Sequence, residues 1–269
     1  MEFCKILKPD QVDKIACVVA DGKWESLTSI RKRTKADIVI NGPIFNMITY
    51  KIHSKFVCNY KQCGSGANSW GLRFDDGYPP QWSWGGTGAQ NFISEFGLLV
   101  VDGKIRNSVS ASPKAKRGRT AIGVTPSGEF VIYVVLDTAK RSEKKTAKEL
   151  AEKMLALGCK YAINLDGGGS SQIADKTGIH TAGRNVPGFV CVWLKENSLE
   201  GDYLRVIANA KINTYDSEGK KESGRYIDKC DICTVKRTIN DNLLIEIEYP
   251  VSNGVRTAYI KSLEHFKAV

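Results

Sequence analysis

The sequence predicts an α+β fold: a mixed β-sheet core with packed helices, followed by a small all-β barrel. Three observations predict it. Apolar runs of strand length, bounded by Gly, Pro, Asn or Asp, recur through the first two thirds of the chain. One segment carries both helix start and helix stop signals. Residues 203–269 hold only short β-rich runs at hairpin spacing.

Taken in order, Lys14–Ala20 reads as a buried strand turning at Asp21-Gly22, and Ala36–Asn41 as a second one ending at Gly42-Pro43. Residues 58–92 mix glycines with Trp70, Phe74, Tyr78, Trp82, Trp84 and Phe92, without a clean period. Such a stretch is either a substrate-facing insertion, where rings suit sugars, or a small hydrophobic subcluster. Phe96–Val101 reads as a strand entering a tight turn at Asp102-Gly103. Thr120–Val124 and Glu129–Leu136 flank Thr125-Pro126-Ser127-Gly128 as a hairpin.

The helix follows. Thr146 and Glu149 form a capping box, Ala147, Leu150, Ala151, Met154 and Leu155 recur at helical spacing, and Gly158 supplies the stop. Lys160–Leu165 is then a short buried strand that delivers Asp166 at its carboxyl end, where open sheets tend to place ligands. Gln172–Ala174 and Phe189–Leu194 are further strands, and Lys195–Asp202 is a polar linker containing Gly201. The later strands are Tyr203–Ile207, Lys211–Tyr215, Ile232–Val235, Leu243–Tyr249 and Thr257–Ile260. Two domains result, 1–196 and 203–269.

Asn164-Leu165-Asp166-Gly167-Gly168-Gly169-Ser170-Ser171 concentrates the chemistry. Glycine runs lose backbone entropy on folding and add no packing, so they persist where φ is positive or backbone must approach closely. A carboxylate opening such a loop is a catalytic or ligand-binding group, or else an acidic turn. Gly167, Gly168 and Gly169 would let N–H groups approach a ligand, and Ser170 and Ser171 would add hydroxyls. Arg119, behind Lys114, Lys116 and Arg117, would clamp an anion through two hydrogen bonds or sit in a surface ion pair. Arg184 offers the same two readings.

These motifs form an ordered set. Asn41-Gly42-Pro43-Ile44-Phe45-Asn46, Arg119-Thr120-Ala121-Ile122-Gly123, the capped helix, the glycine loop and Arg184-Asn185-Val186-Pro187 together resemble the phosphodiester glycosidase family over residues 14–195. Pro43 and Ile44 depart from it, since two glycines and an aromatic usually follow the first Asn. The resemblance implies an enzyme that hydrolyses the bond between an anomeric carbon and a phosphate oxygen. On that reading Asp166, Arg119, Arg184 and Asn164 are the catalytic candidates. Gly167 to Gly169, Ser170, Ser171, Thr120, Asn41 and Asp137 are candidate substrate contacts, with Asp137 also the first choice for a second carboxylate. Asp75, Asp76 and Glu95 are weaker choices, and His53 and His180 lack partner spacing. The tail is similar to a bacterial SH3-like domain, with Arg256–Lys261 as its closing strand, which would hold the chain on an anionic cell-wall polymer or else be a structural appendage or an oligomer contact. The alternatives are a non-catalytic phosphoglycan-binding module and a wall-associated phage or virion protein.

Charge and cysteines bound the rest. The net charge is +10. Residues 203–269 hold 11 basic and 9 acidic side chains (+2), and the other 202 residues hold 28 and 20 (+8). The excess suits an anionic polymer such as a phosphate-bearing wall polymer, or is simply a basic surface; the family resemblance implies a carbohydrate phosphodiester as substrate. No nucleic acid is expected, because the basic residues are scattered and no recognition module appears. No apolar run is long enough to span a membrane. No signal peptide is read, so the chain is expected to be cytoplasmic as synthesised and released by lysis or carried on a virion. Of eight cysteines only Cys230 and Cys233 make a CxxC pair, without a second pair to complete a zinc site. Cys58 and Cys63 are read as free thiols. No cofactor is expected, and a divalent metal at Asp166 stays open.

Overall fold

A computed structural model describes residues 1–106, 115–195, 205–208, 210–228, 231–239, 244–251, 254–262 and 265–268. Lys114, Cys230, Leu243, most of the expected linker and the start of the first late strand lie outside the described residues. The chain divides into two compact units, Met1–Lys195 and Glu196–Val269.

The first unit stacks sheets between two helices. A six-stranded sheet has the order Glu2–Leu7, Phe130–Val135, Arg119–Val124, Tyr161–Asn164, Gly97–Val101, Lys104–Ile105. A five-stranded sheet has the order Gly178–Thr181, Gln172–Asp175, Ile38–Asn41, Gly188–Leu194, Val12–Val19. Their facing sides share one core, in which Ile122, Ile132, Val134 and Ile163 meet Ile38, Ile40, Val190 and Val192. Phe130–Val135 is buried along its whole length. Its Val131, Tyr133 and Val135 turn to the opposite face and pack with Leu150, Ala151 and Met154 of the helix Ala147–Ala156. Two-sided burial explains why this strand reads as an unbroken apolar run rather than an alternating one.

The capping box forms as read. Thr146 N–H donates to Glu149 Oε2 at 2.7 Å and Glu149 N–H donates to Thr146 Oγ1 at 3.1 Å. Thr146→Ala is expected to lower the unfolding free energy by about 1 kcal/mol. Urea midpoints would show it, and an unchanged midpoint would show that the cap contributes nothing.

A second helix, Leu27–Thr34, covers the outer face of the five-stranded sheet through Leu27 and Ile30, which pack near Val39 and Phe189. Its eight residues bury only two apolar side chains, too few for a periodic signal. Residues 56–94 form another sheet, with Trp70–Phe74 between Asn91–Ser94 and Gln81–Trp84. Trp70 stacks on Trp82 at 5.4 Å, and Trp82 stacks on Tyr161 at 4.9 Å. The aromatic stretch is thus a packed subcluster whose Trp84 and Trp70 stay partly exposed.

The α+β expectation is overturned. The chain is mostly β, with 48% strand and 9% helix, and every described strand pair is antiparallel. A parallel pair needs a crossover of a dozen or more residues, whereas most strands here are joined by tight turns. The two described helices each cover one sheet face and build no layer of a mixed sheet. The expected barrel is overturned too. The second unit holds an open seven-stranded antiparallel sheet, from Lys221–Ile227 at one edge to Phe266–Ala268 at the other. A seven-residue edge strand and a three-residue one do not match for closure. No described helix is long and apolar enough to cross a membrane.

Candidate active site

The site forms where the two large sheets end together, and one buried amide joins them. Asn41, fully buried, closes the strand Ile38–Asn41. Its Oδ1 accepts from Thr120 Oγ1 of the six-stranded sheet at 2.7 Å and from Gln172 N–H at 3.2 Å. Its Nδ2 donates to the Asp166 carbonyl at 2.9 Å and, more weakly, to the Gly42 carbonyl at 3.3 Å. Asn41 and Thr120, expected as substrate contacts, therefore spend their polar atoms on each other and on the backbone that carries Asp166.

Asp166 follows directly after the strand Tyr161–Asn164 and Leu165. Its Oδ1 accepts the Gly167 N–H at 2.9 Å. Burial pushes its carboxyl above the usual value; Ser170, the Gly167 N–H and the Arg184 charge pull the other way. The loop is held from beneath, since Gly168 N–H donates to the Gly118 carbonyl at 2.8 Å and Gly118 N–H donates to Asp137 Oδ1 at 2.7 Å. Gly168 has φ +59°, the left-handed conformation that the run suggested. Gly169 lies against the Arg184 guanidinium: a Cβ there would sit 3.0 Å from Nη2, so that side chain would have to shift slightly. Within the loop, Gly167 N–H donates to Asp166 Oδ1, Ser170 N–H to the Gly167 carbonyl and Ser171 N–H to the Gly168 carbonyl.

Two guanidinium groups face this carboxylate. Arg119 donates from Nε to the Lys145 carbonyl at 3.1 Å and from Nη2 to the Ala115 carbonyl at 3.3 Å. Burial and the neighbouring Arg117 lower its pKa. Arg184 donates from Nη1 to Ser170 Oγ at 3.2 Å, and Gln172 Nε2 holds its carbonyl at 3.3 Å. Neither arginine has a carboxylate within ion-pair distance among the described residues. Asp137 behaves oppositely to Asp166. The Gly118 N–H and Lys144, 3.4 Å away, hold it below the usual carboxylate range.

These groups line one cleft of about 540 Å³. Its wall holds Asp166, Gly167, Gly168, Gly169, Arg119, Arg184 and Asp137, joined by Lys116, Arg117, Lys144, Ile44, Phe45, Met47 and Phe96. Phe96 is 52% and Met47 56% exposed, which gives the polar floor an apolar rim. Lys116 and Arg117 belong to the basic run that drew attention to Arg119. Lys144 and Phe96 had no sequence signal, because only the fold brings them to the cleft.

Other candidates fall elsewhere. Asn164 is buried behind the cleft with its Oδ1 unpartnered, and Ser171 is buried with its Oγ unpartnered. Ser170 is equally buried but reaches Arg184. Asp75 and Asp76 line a separate pocket with Tyr78 and Phe130. Glu95 accepts from Ser69 Oγ, and the His180 ring lies tilted against Phe3. His53 does not line the cleft. The described cysteines, Cys58 and Cys63 included, are free. Among the described residues no group of three His, Cys, Asp or Glu side chains is arranged to hold a metal ion.

Comparisons with known proteins agree with this architecture. A family model for phosphodiester glycosidases matches residues 34–193. The catalytic domain of zebrafish N-acetylglucosamine-1-phosphodiester alpha-N-acetylglucosaminidase, auto-inhibited by its pro-peptide, superposes with TM-score 0.57 at 15% identity, over 72% of this chain and 83% of that one. A hypothetical protein from Synechocystis gives TM-score 0.52 at 13% identity, over 72% of this chain and 59% of that one. At such identities these likenesses concern the fold. The SPbeta prophage-derived uncharacterized protein YomE of Bacillus subtilis (strain 168) is 41% identical over 91 residues, which is 32% of this chain and 14% of that protein. The match thus spans about a seventh of that relative's length.

Proposed function

Because the chain belongs to the phosphodiester glycosidase family, we propose that it hydrolyses the glycosidic C–O bond of a sugar-1-phosphodiester, with GlcNAc-1-phosphodiesters as the first substrates to test. The products are a free sugar and a phosphate monoester. One observation carries the reading. The partly buried carboxylate of Asp166 shares a cleft with Arg119 and Arg184, two guanidinium groups with no carboxylate within ion-pair distance among the described residues.

The chemistry follows from charge. The departing phosphate is already a stabilised anion and needs neutralisation more than protonation, which Arg119 and Arg184 supply through hydrogen bonds. Positive charge develops at the anomeric carbon, and ionised Asp166 stabilises it. Ser170 accepts from Arg184 and favours the ionised carboxylate, so it couples the two. Asp137, held ionised against Gly118 and Lys144, positions the loop through the Gly118–Gly168 bond rather than donating a proton. The prophage origin of YomE supports a phage as the biological setting.

Incubating the protein with a GlcNAc-1-phosphodiester in ¹⁸O-water, with divalent metal and with chelator, tests the reaction. Label in the released sugar is the expected outcome. Label in phosphate would mean P–O cleavage and would overturn the reading. The pH profile tests Asp166. Activity needs its ionised form, and burial raises its pKa, so kcat/KM should fall on acidification at a pH above the ordinary Asp value of about 3.9. Arg184→Ala removes a charge that favours ionisation, so the residual activity should lose its acid limb at still higher pH. A limb that stays put would uncouple the two residues.

A further inference from the structure

The cleft holds more positive charge than one phosphodiester uses. Five basic side chains line it, Lys116, Arg117, Arg119, Lys144 and Arg184, against the carboxylates of Asp137 and Asp166. Lys144 is paired with Asp137 at 3.4 Å, and Lys116 with Glu149 at 2.9 Å. Lys116 aside, four cations then share two carboxylates, Asp166 and the Asp137 that Lys144 and Arg117 together help to hold ionised. A phosphodiester brings one negative charge, so at least one unit of positive charge is left over even with Asp166 ionised.

The leftover charge has a place. Arg119 and Arg184 flank the glycine loop, whereas Arg117 lies two residues before Arg119 on an extended segment bridged to Lys145 by two backbone hydrogen bonds. Two residues of extended chain span about 7 Å. Arg117 is exposed, and among the described residues no carboxylate lies within ion-pair distance of it, Asp137 feeling its charge from farther off. No acidic residue is hidden nearby in sequence, because residues 107–114 contain neither Asp nor Glu. Two arginines side by side repel each other unless an anion joins them.

We infer that Arg117 forms a second anion-binding position, so that the substrate's alcohol side carries a further negatively charged group about 7 Å from the scissile phosphate. The substrate class is then a sugar-1-phosphodiester within a repeating or multiply phosphorylated chain rather than a simple alkyl diester. This inference rests on the sugar-phosphate reading of the same cleft.

Two diesters of one sugar test it, one with an uncharged alcohol and one whose alcohol carries a second phosphate. The expected result is a preference in kcat/KM of about tenfold for the second at low salt, which Arg117→Ala abolishes. Equal kcat/KM for the two substrates, or a preference that survives Arg117→Ala, would overturn the inference and leave the proposed reaction standing. If neither diester is cleaved, the reaction fails instead, and calorimetry still judges the second position. A short alkane bisphosphate should bind about tenfold more tightly than inorganic phosphate, and Arg117→Ala should remove the difference. Equal binding of the two would overturn it.

Discussion

Asp166→Asn is expected to lower kcat by about a thousandfold or more while leaving the protein folded. The substitution keeps an oxygen for the Gly167 N–H, now bonded to Oδ1 at 2.9 Å, and removes only the charge. In the proposed reaction that charge is the one set against positive charge at the anomeric carbon. Stability should move the other way. Burial raises the Asp166 pKa, so the folded protein carries an energetic cost whenever this group is ionised, and neutral Asn relieves it. An inactive variant with an unchanged or higher melting temperature is therefore the expected result. A variant with more than a tenth of native turnover would remove Asp166 from the chemistry.

Asn41→Ala should have the largest effect on stability. It deletes an amide that two backbone carbonyls, a hydroxyl and a backbone N–H all use, in a place water does not reach. Stranding those partners should cost about 3 kcal/mol or more. Turnover should fall too, because the Asp166 carbonyl loses its tether. Urea denaturation alongside kcat would check both. A loss of under about 1 kcal/mol would mean that the amide is not the joint between the sheets.

The capped helix was legible because its signals are local: Thr146, Glu149 and Gly158 act within one or two turns. Strand positions such as Phe130–Val135 were legible as apolar runs, but pairing direction was not. Antiparallel and parallel partners demand similar side chains and differ in connections that span the whole chain. The same limit governed the site. Asp166, Arg119 and Arg184 stood out by residue type and loop chemistry, and the fold brings them into one cleft. Asn41 and Thr120 looked equally polar, yet they meet each other across 79 residues of sequence. Nothing in either residue's own neighbourhood announces that partner.

The joint at Asn41 also separates two kinds of change. Beneath the cleft lies a rigid floor of buried amide, hydroxyl and main chain. Above it, Ile44–Met47, Ala115–Arg117 and Lys144 come from connections rather than sheet interiors. Alterations in those connections can redraw which substrates fit without loosening the floor. The architecture therefore lends itself to divergence in specificity at little expense in folding, and the Pro43-Ile44 stretch lies where such divergence would be written.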